Sequence, residues 1–349
     1  MSIGILPKTV LETAETENIF VVKNRLKMSA TSIDIRVARL FKRNDKPVKF
    51  TIDDVHYNPE EIFEEVEPED GMWILKPHEV YEAETVEDIH KIKGLRAEIN
   101  SRSSWARYGV FCSADWVEGL RPHHEFHGKI RFSLRTFETT VAMKVGEAPA
   151  QIRCMYLDAF ALDHNILNQL KKENQIAEGA SLDRQGFTLT MDDKVHVYKS
   201  GVLGTKQSIE DCFETIDIKK GLILEPRTFY IASSREIVKI PCEFIGYVNS
   251  TDSYIPQLPH QTGPVGICGS QWLHASAPWV DPYPVFHGKL TFENWTQRRM
   301  RIEPGMRLTE LQLKPLLVPY EHEAQLTSRY KGQNQAQISK GHLDKDRYK

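Results

Sequence analysis

The sequence predicts a mainly β chain built from two related units, and three observations carry that expectation. Segments such as Gly221-Leu-Ile-Leu224, Phe229-Tyr-Ile-Ala232, Ile237-Val-Lys-Ile240 and Phe244-Ile-Gly-Tyr-Val248 are short, rich in β-branched and aromatic residues, and broken by proline, glycine or charged turns. Regular short strands of this kind suit compact β barrels or sandwiches. The pattern Ile74-Leu75-x-Pro77-x-x-x-Tyr81 recurs 149 residues on as Ile223-Leu224-x-Pro226-x-x-x-Tyr230, and Asn100-Ser101 recurs at the same interval as Asn249-Ser250. Phe126-His127-Gly128-Lys129 returns as Phe286-His287-Gly288-Lys289, now 160 residues on, so the second copy carries a net insertion between these landmarks. A length of 349 residues with 40% hydrophobic content holds two packed cores.

Between the copies the period changes. Ile166, Leu167 and Leu170 fall at helical spacing, Asp163 is a candidate N-cap and Gly179 a candidate stop, which predicts a helix within 160–178. The boundary is placed near residue 157, giving units 1–157 and 158–349. The tail from Arg329 to Lys349 holds six Lys or Arg against two Asp and almost no apolar residues, and reads as a solvated terminus.

Composition narrows the function classes. A net charge of −3 gives no reason to expect binding to polymeric nucleic acid or an anionic membrane. No apolar run approaches the 18 or so residues of a membrane span. The N-terminal segment lacks a charged leader with a long apolar core, so the cytoplasm is the expected compartment. Cys112, Cys154, Cys212, Cys242 and Cys268 are scattered and form no C-x-x-C pair, which suits buried thiols. A zinc deaminase needs H-x-E followed by P-C-x-x-C. His123-His124-Glu125 has the first spacing, but Pro241-Cys242 lacks the second cysteine, so the histidines read as a polar loop and no zinc is expected.

The copies differ most where chemistry concentrates. Asn100-Ser101-Arg102-Ser103-Ser104-Trp105-Ala106-Arg107 faces Asn249-Ser250-Thr251-Asp252-Ser253, which has no arginine. Gly288-Lys289-Leu290-Thr291-Phe292-Glu293 has a carboxylate where Gly128-Lys129-Ile130-Arg131-Phe132-Ser133 has a hydroxyl. Each copy keeps a different half of one site. Arginine grips phosphate with a planar fork and adjacent serines add donors in a tight turn, so Arg102, Ser103 and Ser104 form a candidate triphosphate cradle, with Arg107 facing the same anion or the reacting base. Ala275, Ser276 and Ala277 are small enough to leave room for a ring. Asp281, before Pro282, reads equally as a ligand or as a turn-stabilising aspartate. Glu293 interrupts an apolar strand, and on an inner face burial would raise its pKa and suit it to proton transfer.

These motifs resemble a known family. Arg102-Ser103-Ser104-x-Ala106-Arg107-x-Gly109 looks like the R-S-S-x-A-R-x-G signature of the dCTP deaminases, relatives of the trimeric dUTPases. Ala277-x-x-Val280-Asp281-Pro282, Gly288-x-Leu290-x-Phe292-Glu293 and Pro304-Gly305-Met306-x-Leu308 follow in the family's order. Ala30-Thr-Ser-Ile-Asp34-Ile-Arg36 resembles its early strand, and Tyr330-Lys331-Gly332-Gln333 its C-terminal segment. The likeness is greatest to the tandem, double-length branch. It implies two dUTPase-like (β-clip) distorted barrels with a few short helices. It further implies zinc-free conversion of dCTP to dUTP and ammonia in pyrimidine deoxynucleotide synthesis, with Glu293 as the acid/base. Arg107 and Ser103 would position water, Arg102 and Ser104 would bind phosphates, and Asp281 would meet the 3′-hydroxyl beside Ser276 and Ala277. Arg329, Tyr330 and Gln333 would close over the nucleotide. Magnesium is expected to arrive on the triphosphate.

Two rivals stand beside this reading. A dUTP diphosphatase, or a bifunctional enzyme carrying dCTP through to dUMP, shares the scaffold, although the tail lacks a glycine-rich phosphate loop. A nucleotide-binding regulator without catalysis is the alternative from another class. It draws support from the run Asp281 to Gly288, two residues longer than the family's D-P-G-x-x-G. The resemblance also implies a homo-oligomer and dTTP as an effector.

Overall fold

The computed structural model describes residues 4–26, 28–44, 62–114, 117–156, 162–174, 176–183, 186–205, 210–249, 278–294, 299–321, 331–335 and 337–339. The chain is mainly β. In the first repeat the sheet runs Gly4–Ile5, Ala150–Tyr156, Leu95–Ser101, Val110–Ser113, Arg131–Thr136, Val80–Thr85, Val37–Arg43, Phe63–Glu65, with Ile33–Ile35 also on Ala150–Tyr156. In the second the path is Ala177–Glu178, Tyr230–Val238, Phe187–Tyr198, Arg307–Pro315, Phe244–Asn249, Trp279–Val280, and Gly288–Asn294 pairs with Tyr230–Val238. Alternation is clear along Leu95–Ser101, where every second residue is buried.

Among the described residues these pairings form distorted sheets that do not close on themselves, in keeping with the distorted, mainly β architecture expected. Register shifts between Val37 and Arg39, Met191 and Val195, and Ser233 and Ile237 interrupt the ladders. Such bulges bend a strand and end its pairing locally. The strands expected at 229–232 and 237–240 are one, Tyr230–Val238, with the last shift falling between them. The helix between the repeats is His164–Asn174, and Asp163 caps it by accepting from Asn165 N–H (2.8 Å) and Ile166 N–H (3.1 Å). It ends before Gly179 because Ala177–Glu178 is taken up as an edge strand against Ile237–Val238. Leu167 and Leu170 pack inward as expected, whereas Ile166 is exposed. The expected unit boundary at 157 lies outside the described residues. No described helix is long and apolar enough to cross a membrane.

Each repeat has its own apolar core, and a third cluster joins Ile5, Ala30 and Met155 to Ile245, Trp279, Val285, Leu316 and Tyr320. Backbone contacts also sew the repeats together. Leu317 N–H donates to Ile5 C=O at 2.9 Å, and a Cβ on Gly4 would come within 2.6 Å of the Leu317 nitrogen, so only glycine allows this approach. Val202–Leu203 pairs in parallel with Thr140–Lys144, and Leu203 and Cys212 complete the first core.

The repeated sequence pattern encodes a turn. Tyr81 Oη accepts from Lys76 N–H (3.2 Å) and Tyr230 Oη from Glu225 N–H (2.7 Å), while His78 and Arg227 take φ of 65° and 56° after the proline. A second equivalence was not visible in sequence. Thr85 Oγ1 donates to Glu87 C=O (2.7 Å) and accepts from Ile130 N–H (3.0 Å), and Ser234 Oγ does the same with Glu236 C=O (2.8 Å) and Leu290 N–H (3.0 Å). Thr85→Val keeps the shape but leaves a buried N–H and C=O unpaired. It is expected to cost about 1–3 kcal/mol, read as a lowered denaturant midpoint with unchanged slope.

Candidate active site between the repeats

The strand Leu95–Ser101 ends at extended Arg102, and the short helix Ser103–Ala106 follows. Trp105 anchors that helix by entering the first core, where it meets Tyr108 edge-on at 5.7 Å. Gly109 then turns the chain with φ of 79°, and a Cβ there would strike the Thr139 hydroxyl at 2.7 Å. On this turn Ser104 and Arg107 are buried and Ser103 is half-buried. Arg102 is buried, with Nε 3.2 Å from Asp34 Oδ1 and Nη1 donating to Ala148 C=O at 3.1 Å. These contacts hold much of the guanidinium inside the first repeat.

Glu293 belongs to the strand Gly288–Asn294 of the second repeat. Leu290 and Phe292 point into the second core, so Thr291 and Glu293 share the opposite face. That face is covered too. Glu293 is fully buried, and neither carboxylate oxygen has a hydrogen-bond partner among the described residues. Burial raises its pKa from 4.5 to about 8, with Arg107 of the first repeat opposing the rise. The expected raised pKa therefore holds, although the face is the one turned away from the core.

The tail supplies the bridge between these groups. Gln333 Nε2 donates to Thr291 Oγ1 (2.6 Å) and Lys289 C=O (2.7 Å), and its Oε1 accepts from Arg107 Nη2 at 3.2 Å. Arg107 Nη1 donates to Gln337 C=O (3.0 Å), and Ser339 Oγ donates to Ser104 C=O (2.6 Å). Gln333 and Ser339 are buried, so these residues are not the solvated terminus expected from composition. Their side chains and carbonyls find partners across the turn, which charge counting along the tail could not register.

Asp281 follows the strand Trp279–Val280 and accepts from Thr31 Oγ1 at 3.2 Å. Burial raises its pKa, opposed by Arg153 and the Thr31 hydrogen bond, while Asp34 adds to the rise. The longer loop after it closes compactly, since Pro282 C=O accepts from Val285 N–H (2.9 Å) and Phe286 N–H (3.2 Å), and both side chains are buried. Ser276, Ala277, Arg329 and Tyr330 lie outside the described residues, as do Thr251 and Cys268.

The structure thus brings Arg107 of the first repeat beside Glu293 and Gln333 of the second and ties Ser104 to Ser339, while Arg102 pairs with Asp34 and Asp281 with Thr31. Sequence reasoning missed Thr31, Asp34, Arg153, Thr291 and Gln337. Arg153 had a signal, being a charge inside the otherwise buried strand Ala150–Tyr156. The His123-His124-Glu125 segment is exposed, and the carbonyls of Arg121 and His124 accept from the buried Lys91 ammonium at 3.1 and 2.6 Å. None of the four described cysteines forms a disulfide, and three are buried.

Comparison with known proteins agrees with the tandem reading. A family profile described as dCTP deaminase-like matches residues 6–157 and again 160–316. A "dCTP deaminase, dUMP-forming" of Persephonella marina is 30% identical over 129 residues, covering 36% of this chain and 62% of that protein. A protein of the same name from Dictyoglomus turgidum is 30% identical over 146 residues, 40% of this chain and 68% of that one. A "dCTP deaminase" of Haloarcula marismortui is 28% identical over 148 residues, 41% and 69%. In fold, the chain is similar to the crystal structure of 2′-deoxycytidine 5′-triphosphate deaminase from Agrobacterium tumefaciens. That likeness has a TM-score of 0.72 at 17% identity, covering 90% of this chain and all of the other.

The buried carboxyl predicts a stability signature independent of any activity. Between pH 4.5 and about 8 the unfolded chain ionises Glu293 while the folded chain keeps its proton, so folding loses stability as pH rises through that window. Glu293→Gln has no proton to lose. Its denaturant midpoint is expected to exceed the parent's at pH 8, with the gap closing towards pH 4.

Proposed function

Because the chain belongs to the dCTP deaminase-like family, we propose that it hydrolyses the 4-amino group of dCTP. The observation that carries this reading is Glu293, a buried carboxyl of one repeat with a pKa near 8 beside an arginine of the other. Such a group exchanges protons near neutrality and so serves as base and acid in turn. Glu293 takes a proton from water as the oxygen bonds to C4, then returns it to the amino nitrogen as the C4–N bond breaks and ammonia leaves. Arg107 offsets the charge that develops, and Ser103 holds the water. Ser104 and its turn receive the phosphates, and Arg102 acts from behind through its charge and its grip on Asp34. Asp281 meets the sugar hydroxyl, Ser276 and Ala277 border the base, and Arg329, Tyr330 and Gln333 close the tail over the nucleotide. Magnesium belongs to the substrate, bound to its phosphates. No zinc enters the reaction.

In this reading units 1–157 and 158–349 divide the labour, the first holding phosphate and the second base and catalytic carboxyl. One specific observation favours a second reading. The Persephonella marina and Dictyoglomus turgidum relatives are named dUMP-forming, and on that reading the deamination product dUTP is hydrolysed further at the same site to dUMP and pyrophosphate. Separate assays of ammonia and pyrophosphate from dCTP and dUTP distinguish the two. A homo-oligomer, a cytoplasmic location and dTTP as effector complete the proposal.

Glu293→Gln is expected to abolish ammonia release while leaving dCTP affinity within roughly tenfold, a difference of about 1.4 kcal/mol. Turnover near the parent rate would remove Glu293 from the chemistry. Since both halves of the site lie in one chain, co-refolded mixtures of Arg107→Ala and Glu293→Gln chains are expected to stay inactive, and substantial recovery would assign the site to two chains. Activity should survive a zinc-selective chelator and fail without magnesium, the opposite pattern requiring a metal-bound water.

A further inference from the structure

We propose that Arg153, acting through Thr31, is a positioning residue that reaches from the first repeat to hold the Asp281 carboxylate for the sugar 3′-hydroxyl; this rests on the function proposed above. Arg153 lies on Ala150–Tyr156 and is 2% exposed, flanked by buried Ile152 and Cys154. Its Nε donates to Thr31 Oγ1 at 3.4 Å, and Thr31 Oγ1 donates to Asp281 Oδ1 at 3.2 Å. A hydroxyl has one proton, so accepting from Arg153 commits that proton to Asp281. The guanidinium also sits 5.6 Å from the ring of Trp279, two residues before Asp281, and Trp279 Nε1 donates to Asn100 Oδ1 at 3.2 Å. The turn that carries Asp281 is therefore gripped from the first repeat at two points.

Two features argue that this arrangement is more than a clip between repeats. Arg153 Nη1 is buried and has no hydrogen-bond partner among the described residues. A buried charge so incompletely satisfied is a poor device for stability compared with an apolar side chain of similar size. Three carboxylates act on the guanidinium, Asp281 most strongly and then Glu98 and Asp34, and Asp34 is also 3.2 Å from Arg102. Without Arg153 or the Thr31 hydroxyl, the carboxylate loses its orientation towards the sugar while Glu293 and Arg107 stay in place.

The test compares kcat/KM for dCTP with that for 2′,3′-dideoxycytidine triphosphate in the full chain. The parent is expected to favour dCTP by about tenfold or more, as loss of a charge-assisted hydrogen bond implies. Arg153→Met and Thr31→Val are expected to bring that ratio to within about twofold of the ratio for Asp281→Asn, through KM, with kcat at saturating dCTP within about threefold of the parent's. Thr31→Val preserves side-chain shape and carries the test if Arg153→Met does not fold. Retention of the parent ratio by a folded variant, even one with a lowered melting temperature, reduces the pair to a structural clip and overturns the inference. A parent that releases no ammonia from either nucleotide overturns the proposed function instead, and this inference with it.

Discussion

The site depends on keeping one carboxyl dry. Glu293 has no hydrogen-bond partner among the described residues and is held beside Arg107, so its environment is set by two opposing quantities, lost hydration and one nearby positive charge. Hydration loss wins, and the group sits where it can both accept and give a proton. Much of the surrounding architecture maintains that balance. The strand face that carries Glu293 is turned from its own core, the first repeat supplies the cation, and Gln333 fills the space between them while tying Arg107 to Thr291. Opening any of these to water would return Glu293 to an ordinary carboxylate.

Much of this was legible in the sequence, for identifiable reasons. The R-S-S turn and the strand glutamate stood out because each was present in one copy and absent from the other. The helix cap at Asp163 followed from local chemistry and is made as expected. What escaped were the contacts that depend on distance in space. Thr31 and Asp281 are far apart in the chain yet share a hydrogen bond, and Arg153 gives no local reason for its burial beyond being a charge among apolar neighbours. The mainly β architecture followed from the short regular strands, whereas the bulges that interrupt pairing after Ser233 and Met191 have no sequence mark strong enough to read.

The repeat itself was read correctly and for an incomplete reason. The proline and tyrosine shared by the copies belong to a turn whose backbone N–H needs an acceptor, and the residue after the proline adopts a left-handed conformation in both. Backbone geometry of this kind tolerates little change. The hydroxyl at Thr85 and Ser234 obeys the same constraint with two different residues, which is why letter matching passed over it. Identity between the copies therefore marks where the main chain is constrained.

The interlocking of the repeats has a consequence for synthesis. Leu203 and Cys212 belong to the first core, and the strand at Gly4–Ile5 meets its second neighbour only at Leu316 and Leu317. A nascent chain that has emerged as far as its midpoint therefore holds a first unit with an unfilled apolar seam and an unpaired strand edge. Such surfaces attract other chains. The same stitching that sets Arg107 beside Glu293 obliges the ribosome to deliver nearly the whole polypeptide before either half is sealed.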